Sequence, residues 1–374
     1  MSYLEKLLEG VEVVWLPLEK FAEYEQPTKY LVNSNIYNDN FKIPVLTAGK
    51  TFILGYTDET EGIYRASKNP VIIFDDFTTA NKWVDFDFKA KSSAMKMITS
   101  KDESLVSLKY IYYWMNTLPS DLIDGDHKRQ WISNYSKKLI PIPCPENPKK
   151  SLEIQQKIVA ILDTFTELTA ELTAELTARK SQYTYYREKL LTFDENQVEW
   201  KTLGEVAEIG TGSHNTQDAV DYGIYTFYAR GITPLKLNSY DFDETAIITA
   251  GDGVGVGKVF HWAVGKYALH QRAYRIVPNS VVNSRYVYHY IITKFYDYIL
   301  KTSVNSSVTS MRKPMFLNFP IPIPSLEEQE RIVSILDKFD TLTTSITEGL
   351  PKEIELRKKQ YEYYRDMLLS FPKN

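Results

Sequence analysis

"SLEIQQKIVAILDTF" (151–165) and "SLEEQERIVSILDKF" (325–339) align without a gap. Further along, "YTYYREKLLTF" (183–193) aligns on "YEYYRDMLLSF" (361–371). Upstream of each pair, "PIPCP" (141–145) answers "PIPIP" (320–324), and "WLPLEKFAEY" (15–24) answers "WKTLGEVAEI" (200–209) more loosely. The chain is therefore an internal repeat in the order A–B–A′–B′, and a repeat of this length governs the architecture before any local pattern does. The expected segments are 1–150, 151–195, 196–324 and 325–374.

The B segments read as long helices. In the first, the apolar positions run Ile154, Ile158, Ile161, Phe165, Leu168, Leu172, Leu176, Tyr183, Tyr186 and Leu190. Steps of mostly four and three make the seam of a coiled coil. Ser151 with Glu153, and Ser325 with Glu327 and Glu328, predict helix starts with acids in the first turn. About 40 residues of helix extend about 60 Å, more than a domain of ~130 residues is wide, so the two B helices are expected to pack together. Short connections then allow only an antiparallel return through A′. The expected fold class is α+β: two similar globular domains joined by two long helices in an antiparallel coiled coil with a pseudo-twofold axis. The C-terminus should come back near the N-terminus. In "TEGLPKE" (347–353), Gly349 and Pro351 are expected to break or kink the second helix, since an unaccommodated proline costs about 3 kcal/mol or more.

Within the first helix lies "TELTAELTAELTA" (166–178). Leu168, Leu172 and Leu176 continue the seam in steps of four, as Leu342, Ile346, Leu350 and Ile354 do in the second. Each four-residue unit adds about 6 Å of helix. From Asp163 to Tyr183 is 20 residues, and from Asp337 to Tyr361 is 24, so the second copy holds one more step. Both stretches read as spacers built from one four-residue unit.

The A segments carry short β-rich runs: "KIPVLTAG" (42–49), "NPVIIFDDF" (69–77), "GIYTFYARG" (223–231) and "TAIITAGDGVGVGKVFHW" (245–262). Each then has a tyrosine-rich helical stretch, "SLVSLKYIYYWM" (104–115) and "NSRYVYHYIITKFYDYI" (283–299). Tyrosines at helical spacing read first as core, and base stacking is the other reading.

Composition sets the outer bounds. With 374 residues, 43% of them hydrophobic, the chain has material for two cores. A single cysteine, Cys144, allows no internal disulfide and fits a reducing cytoplasm. The start "MSYLEKLLEG" has acids and no apolar core, unlike a signal peptide. No apolar run reaches the ~18 residues of a membrane span. The net charge is −4, and the long segments are near neutral: 19 Lys/Arg against 20 Asp/Glu in 1–150, and 12 against 10 in 196–324. A polyanion would have to be met by local patches.

Catalytic patterns fail one by one. "GDGVGVGKVF" (251–260) resembles a phosphate loop, but position 252 is Asp and position 259 is Val where a Walker loop needs Gly and Ser or Thr. It reads as a glycine-rich turn between strands. The five histidines show no metal-ligand spacing, and one cysteine makes no zinc site. There is no Pro-Pro dipeptide, which the Asn/Asp-Pro-Pro-aromatic motif of amino methyltransferases requires.

Binding features stand out better. "GDHKRQWISNYSKK" (125–138) gathers His127, Lys128, Arg129, Asn134, Lys137 and Lys138. "SVNSSVTSMRKP" (303–314) gathers Asn305, Ser306, Ser307, Thr309, Ser310, Arg312 and Lys313. Both stretches precede the Pro-rich entry to a B helix. Lys and Arg neutralise phosphates, while amides, hydroxyls and arginine read base edges. Arg230, Lys258, Arg272 and Arg275 could extend the second surface. Two ordinary polar loops are the plain alternative.

Taken together, the doubled "PIPxP", "SLExQxxIVxILDxF" and "YxYYRxxLLxF", with TAEL units in the first helix, resemble the specificity subunits of type I restriction–modification enzymes over nearly the whole chain. The resemblance implies a non-catalytic subunit with no cofactor of its own. Each globular domain would read one half of a split, asymmetric site in double-stranded DNA. The helical regions would hold the halves apart and dock two methyltransferase subunits, which use S-adenosylmethionine to methylate adenine. Restriction subunits using ATP and Mg²⁺ would join for cleavage. Two rival readings are a fragment of a fused restriction–methylation enzyme, which needs a catalytic motif on this chain, and a non-DNA scaffold on a coiled rod.

Overall fold

The structure is a computed structural model that describes residues 3–49, 51–119, 129–253, 255–302 and 310–372. The chain forms two compact units, Met1–Glu171 with Ile354–Asn374, and Leu172–Glu353. Among the described residues, five longer helices organise it: α1 (Leu108–Met115), α2 (Pro148–Leu190), α3 (Ser284–Thr302), α4 (Leu326–Thr344) and α5 (Gly349–Leu368). Among the described residues, no helix is long and apolar enough to cross a membrane.

Helix α2 is continuous over 43 residues, about 65 Å. It starts three residues before the expected Ser151. The Asn147 side chain accepts from Lys150 N at 3.1 Å, and Pro148 supplies a first helical residue whose missing N–H costs nothing there. Ser325 does cap α4, its hydroxyl accepting from Glu328 N.

The second helical region is broken, as Gly349 and Pro351 require. Helix α4 ends at Thr344, and α5 begins at Gly349 with φ +77°. A Cβ on Gly349 would lie 2.4 Å from Thr341 O, so only glycine fits this return. Pro351 then falls in the first turn of α5, where proline is accommodated. The break corrects one spacer assignment: Ile346 lies between the helices and is 80% exposed, outside any seam. Leu350 and Ile354 are buried, and Leu168, Leu172, Leu176 and Leu342 are half-buried. A second correction concerns the seam's start. Leu162 and its counterpart Leu336 are fully buried, while Ile161 and Ile335 are only partly so.

Helix pairing is visible inside each unit. In the first, Phe165 of α2 stacks on Tyr364 of α5 at 5.0 Å, and Ile154, Ile158 and Leu162 share a core with Leu368, Leu369 and Phe371. The C-terminal segment also returns to the N-terminal strand, where Trp15 Nε1 donates to Pro372 O at 2.9 Å. In the second unit, Tyr183 and Tyr186 of α2 stack on Phe339 of α4 at 5.8 and 5.7 Å.

Among the described residues, the first unit holds nine strands: β1 (Val13–Pro17), β2 (Ala22–Glu25), β3 (Ile43–Leu46), β4 (Ile53–Thr57), β5 (Val71–Asp75), β6 (Asn81–Val84), β7 (Lys89–Ala90), β8 (Met95–Ser100) and β9 (Leu139–Pro143). They form sheets of order β2-β8-β5-β6 and β4-β3-β7, and the ribbon β1-β9. The second unit holds β10 (Glu199–Thr202), β11 (Ala207–Thr211), β12 (Tyr225–Tyr228), β13 (Leu235–Leu237), β14 (Phe242–Ala250), β15 (Phe260–Leu269), β16 (Ala273–Pro278) and β17 (Pro320–Ile323). Its sheet runs β11-β16-β14-β15-β12-β13, and its ribbon is β10-β17. The Pro-rich motifs are the second strands of the two ribbons, with Trp15 opposite Pro141 and Trp200 opposite Pro322. Prolines survive there because each strand pairs on one side only. The loose A–A′ match is structural as well: fully buried Leu18 and Leu203 each donate their N–H to the residue before the ribbon's second strand, Lys138 O and Phe319 O.

The tyrosine stripes are mainly core. Tyr110, Tyr113, Tyr286 and Tyr290 are buried, and burial raises the phenol pKa of all four.

Candidate nucleic-acid interface

In the second unit, the described residues 251–253 and 255–259 of "GDGVGVGKVF" lie between antiparallel β14 and β15. The β14–β16 pairing ends at Ala250 opposite Ala273. Gly251 then donates its N–H to Arg272 O at 2.8 Å and accepts from Met311 N at 2.7 Å. A Cβ here would meet Arg272 O at 2.7 Å and the Tyr274 ring at 2.8 Å, so the crossing of three backbone segments requires glycine.

Asp252 follows and bridges to Ser310. Its Oδ1 accepts from Arg230 Nη1 and its Oδ2 from Arg272 Nη1, both at 2.9 Å. Burial alone would raise this carboxyl's pKa, and the hydrogen bonds from Arg230 and Arg272 overcome that and lower it. The Arg272 side chain is 63% exposed. An open cavity of about 290 Å³ lies against Asp252, Gln271, Arg272, Tyr274 and Ser310. Arg312 and Lys313 are exposed just beyond Ser310, with Arg312 at the cap of a short helix, Lys313–Leu317.

The structure thus brings Arg230 and Arg272 together and sets Ser310, Arg312 and Lys313 on the segment crossing beside them. Lys258 is exposed on the glycine turn, its ammonium 4.9 Å from the Tyr296 ring centre. Arg275 is not part of this surface. It is nearly buried in the sheet, paired with Glu244 and Glu208. Asn305, Ser306, Ser307 and Thr309 lie outside the described residues.

The first unit repeats the backbone crossing with other side chains. The β5–β8 pairing ends at Asp75 opposite Met95. Asp76 N donates to Ala94 O at 3.3 Å, and Gln130 N donates to Asp76 O at 2.9 Å. Asp76 therefore occupies the place of Gly251. Its carboxylate is fully buried, with Oδ1 accepting from Trp131 N at 2.8 Å and Oδ2 lying 3.5 Å from both Lys96 Nζ and Arg129 Nη1. Burial lowers the pKa of the Lys96 ammonium and Asp76 opposes the shift. Arg129 is half-exposed above the Phe77 ring. Lys137 is exposed, Lys138 lies 5.2 Å from the Tyr135 ring centre, and Asn134 is half-buried where one helical turn passes into the next. Lys128 and His127 lie outside the described residues.

A second pair of matched sites joins each globular part to its spacer helix. Fully buried Gln155 and Gln329 each accept from the backbone of the residue that caps the tyrosine helix, Ser107 N at 3.0 Å and Asn283 N at 2.8 Å. Tyr110 and Tyr286 donate to the ribbon carbonyls of Pro141 and Pro322 at 2.8 and 2.9 Å. Asp163 pairs with Lys109 and accepts from Tyr113, while Asp337 pairs with Arg285 and with His289 at 2.7 Å. The sequence alone does not show that these residues meet. Gln155/Gln329 and Asp163/Asp337 are identical polar pairs inside the aligned helical stretch, and that was the available signal.

Comparison with known proteins agrees with this duplicated plan. The family model for the type I restriction modification DNA specificity domain matches residues 13–179 and 195–356. The specificity subunit of type I restriction enzyme EcoR124I/EcoR124II from Escherichia coli is 54% identical over all of this chain and 98% of its own length. A putative type I restriction enzyme specificity subunit from Haemophilus influenzae is 31% identical over 99% of this chain and 98% of its own. The crystal structure of an S subunit from M. genitalium shares the fold with a TM-score of 0.68 at 16% identity, over the full length of both chains. A structure from work on the assembly and conformational transition of a type I restriction–modification system matches at 0.56 and 17% identity, over 96% of this chain and 97% of that one. The chain belongs to the family of type I restriction–modification specificity subunits.

Proposed function

We propose that each globular unit reads one half of a split, asymmetric site in double-stranded DNA, and that the chain carries no catalysis of its own. The observation that carries this reading is the recurring backbone crossing. It holds a basic segment in the same place in both units, at Arg129 in one and at Ser310–Lys313 in the other, on unlike side chains. Matched scaffolds with different reading residues suit two different half-sites. The near-neutral charge is compatible with DNA binding when partner subunits supply much of the phosphate contact.

The helical regions set the separation of the half-sites and dock two methyltransferase subunits, which bind S-adenosylmethionine and methylate adenine. Restriction subunits add ATP- and Mg²⁺-dependent cleavage, and the complex works in the cytoplasm. The TAEL stretch acts as a ruler, so one added unit lengthens the gap by about 6 Å of helix and leaves both halves unchanged. The test is adenine-methylation mapping of a genome carrying this chain and its methyltransferase partner. A bipartite motif with a constant gap is expected. A contiguous motif, or none, contradicts the proposal.

A further inference from the structure

Two arginines on a DNA-facing surface usually mean phosphate contacts, but the carboxylate between Arg230 and Arg272 argues otherwise for Arg272. A phosphate anchor needs positive charge and little geometry, and an aspartate in the middle subtracts charge and repels the backbone. What Asp252 adds is orientation. It takes Nη1 of Arg272 at 2.9 Å, and its own position is fixed by the Ser310 bridge and by Arg230 on its other oxygen.

The main chain of Arg272 is fixed as well. Its N–H donates to His270 Nδ1 at 2.9 Å, and its carbonyl accepts from Gly251 N at 2.8 Å. The side chain is nonetheless 63% exposed beside an open cavity. A planar fork that is pre-oriented, pinned at its root and open at its face loses little freedom on binding. Such a fork matches the paired O6 and N7 acceptors of guanine in the major groove. Asp76 cannot play this part in the first unit, because it is fully buried and spends one oxygen on Trp131 N.

We propose that Arg272, buttressed by Asp252, reads a guanine in the half-site of the second unit. The inference rests on the DNA-reading function proposed above. The test uses the full chain assembled with its methyltransferase partner, carrying Arg272→Ala, Arg272→Lys or Asp252→Asn. The readouts are methylation motifs and binding to single-base variants of the site. The half-site in question is the one that changes when residues 196–324 are exchanged.

Arg272→Ala and Arg272→Lys should both lose about 10- to 100-fold discrimination at one G·C pair, because lysine keeps the charge and lacks the fork. Asp252→Asn should loosen the same position and leave the salt dependence of binding unchanged. The inference is overturned if Arg272→Lys behaves as the parent chain, if Arg272→Ala weakens all sequences equally, or if that half-site contains no G·C pair. Absence of any bipartite motif from the parent complex would instead sink the DNA-reading function itself.

Discussion

The two backbone crossings share a skeleton and differ in where they put a carboxylate. In the first unit the acid stands on the crossing residue, Asp76, fully buried with Lys96 beside it. In the second the crossing residue is Gly251, and the acid moves one position on, to Asp252, with two exposed arginines on it. A shift of one residue turns a structural ion pair into a surface one. The backbone hydrogen bonds keep the architecture, and the side chains are left to diverge.

The sharpest way to break that comparison is to delete each carboxylate. Asp76→Ala leaves the buried Lys96 ammonium without its counter-charge and Trp131 N without its acceptor. Removing one partner of a buried pair costs about 3–5 kcal/mol, which lowers the Tm of the first unit by roughly 6–20 °C. Asp252→Ala removes exposed pairs worth about 0–1 kcal/mol and should barely move the Tm of the second. Calorimetry of both variants decides. Equal losses would mean that the two carboxylates do the same job.

The joints to the spacer helices should behave alike where the crossings differ. Gln155→Ala and Gln329→Ala each strand a buried cap N–H and a carbonyl, at about 1–3 kcal/mol for each orphaned group. Denaturant unfolding should show both variants less stable by similar amounts. A large loss at one and none at the other would show that the joints are not equivalent.

A smaller effect separates the joints by pH. His289 faces Asp337, Arg285, Asp340 and Tyr288; burial lowers its pKa below the usual 6.5, while its bond to Asp337 pulls the other way. The unfolded chain therefore takes up a proton first. This contribution to stability is present above about pH 6.5 and is lost as the pH falls below it. Tyr113 holds the same place in the first joint, and burial followed by Asp163 raises its pKa. Its contribution is complete below about pH 10 and is lost only above that. His289→Tyr should accordingly flatten the decline in stability between about pH 6.5 and 5. A decline as steep as that of the parent chain would place the acid sensitivity elsewhere.

These contrasts also mark what the sequence makes legible. The B repeat exposes the helices and the break at Gly349, because backbone rules for glycine and proline act locally; the Pro-rich motifs align, but nothing in their pattern marks them as strands of a ribbon. The basic stretches before each ribbon strand are legible from their matched placement. The partners of those stretches are not. Asp76 and Asp252 lie far off in the chain, in segments that barely align, and the offset of one residue defeats a position-by-position match. Ile346 misleads for a related reason: a step of four continues on paper across residues 345–348, where the helix has already ended.

The central claim, one reader per half-site, is tested most directly by exchanging residues 196–324 for the second globular domain of another specificity subunit and mapping adenine methylation genome-wide. The account predicts that one half of the motif changes, while the other half and the gap stay as they were. A change in both halves would contradict it.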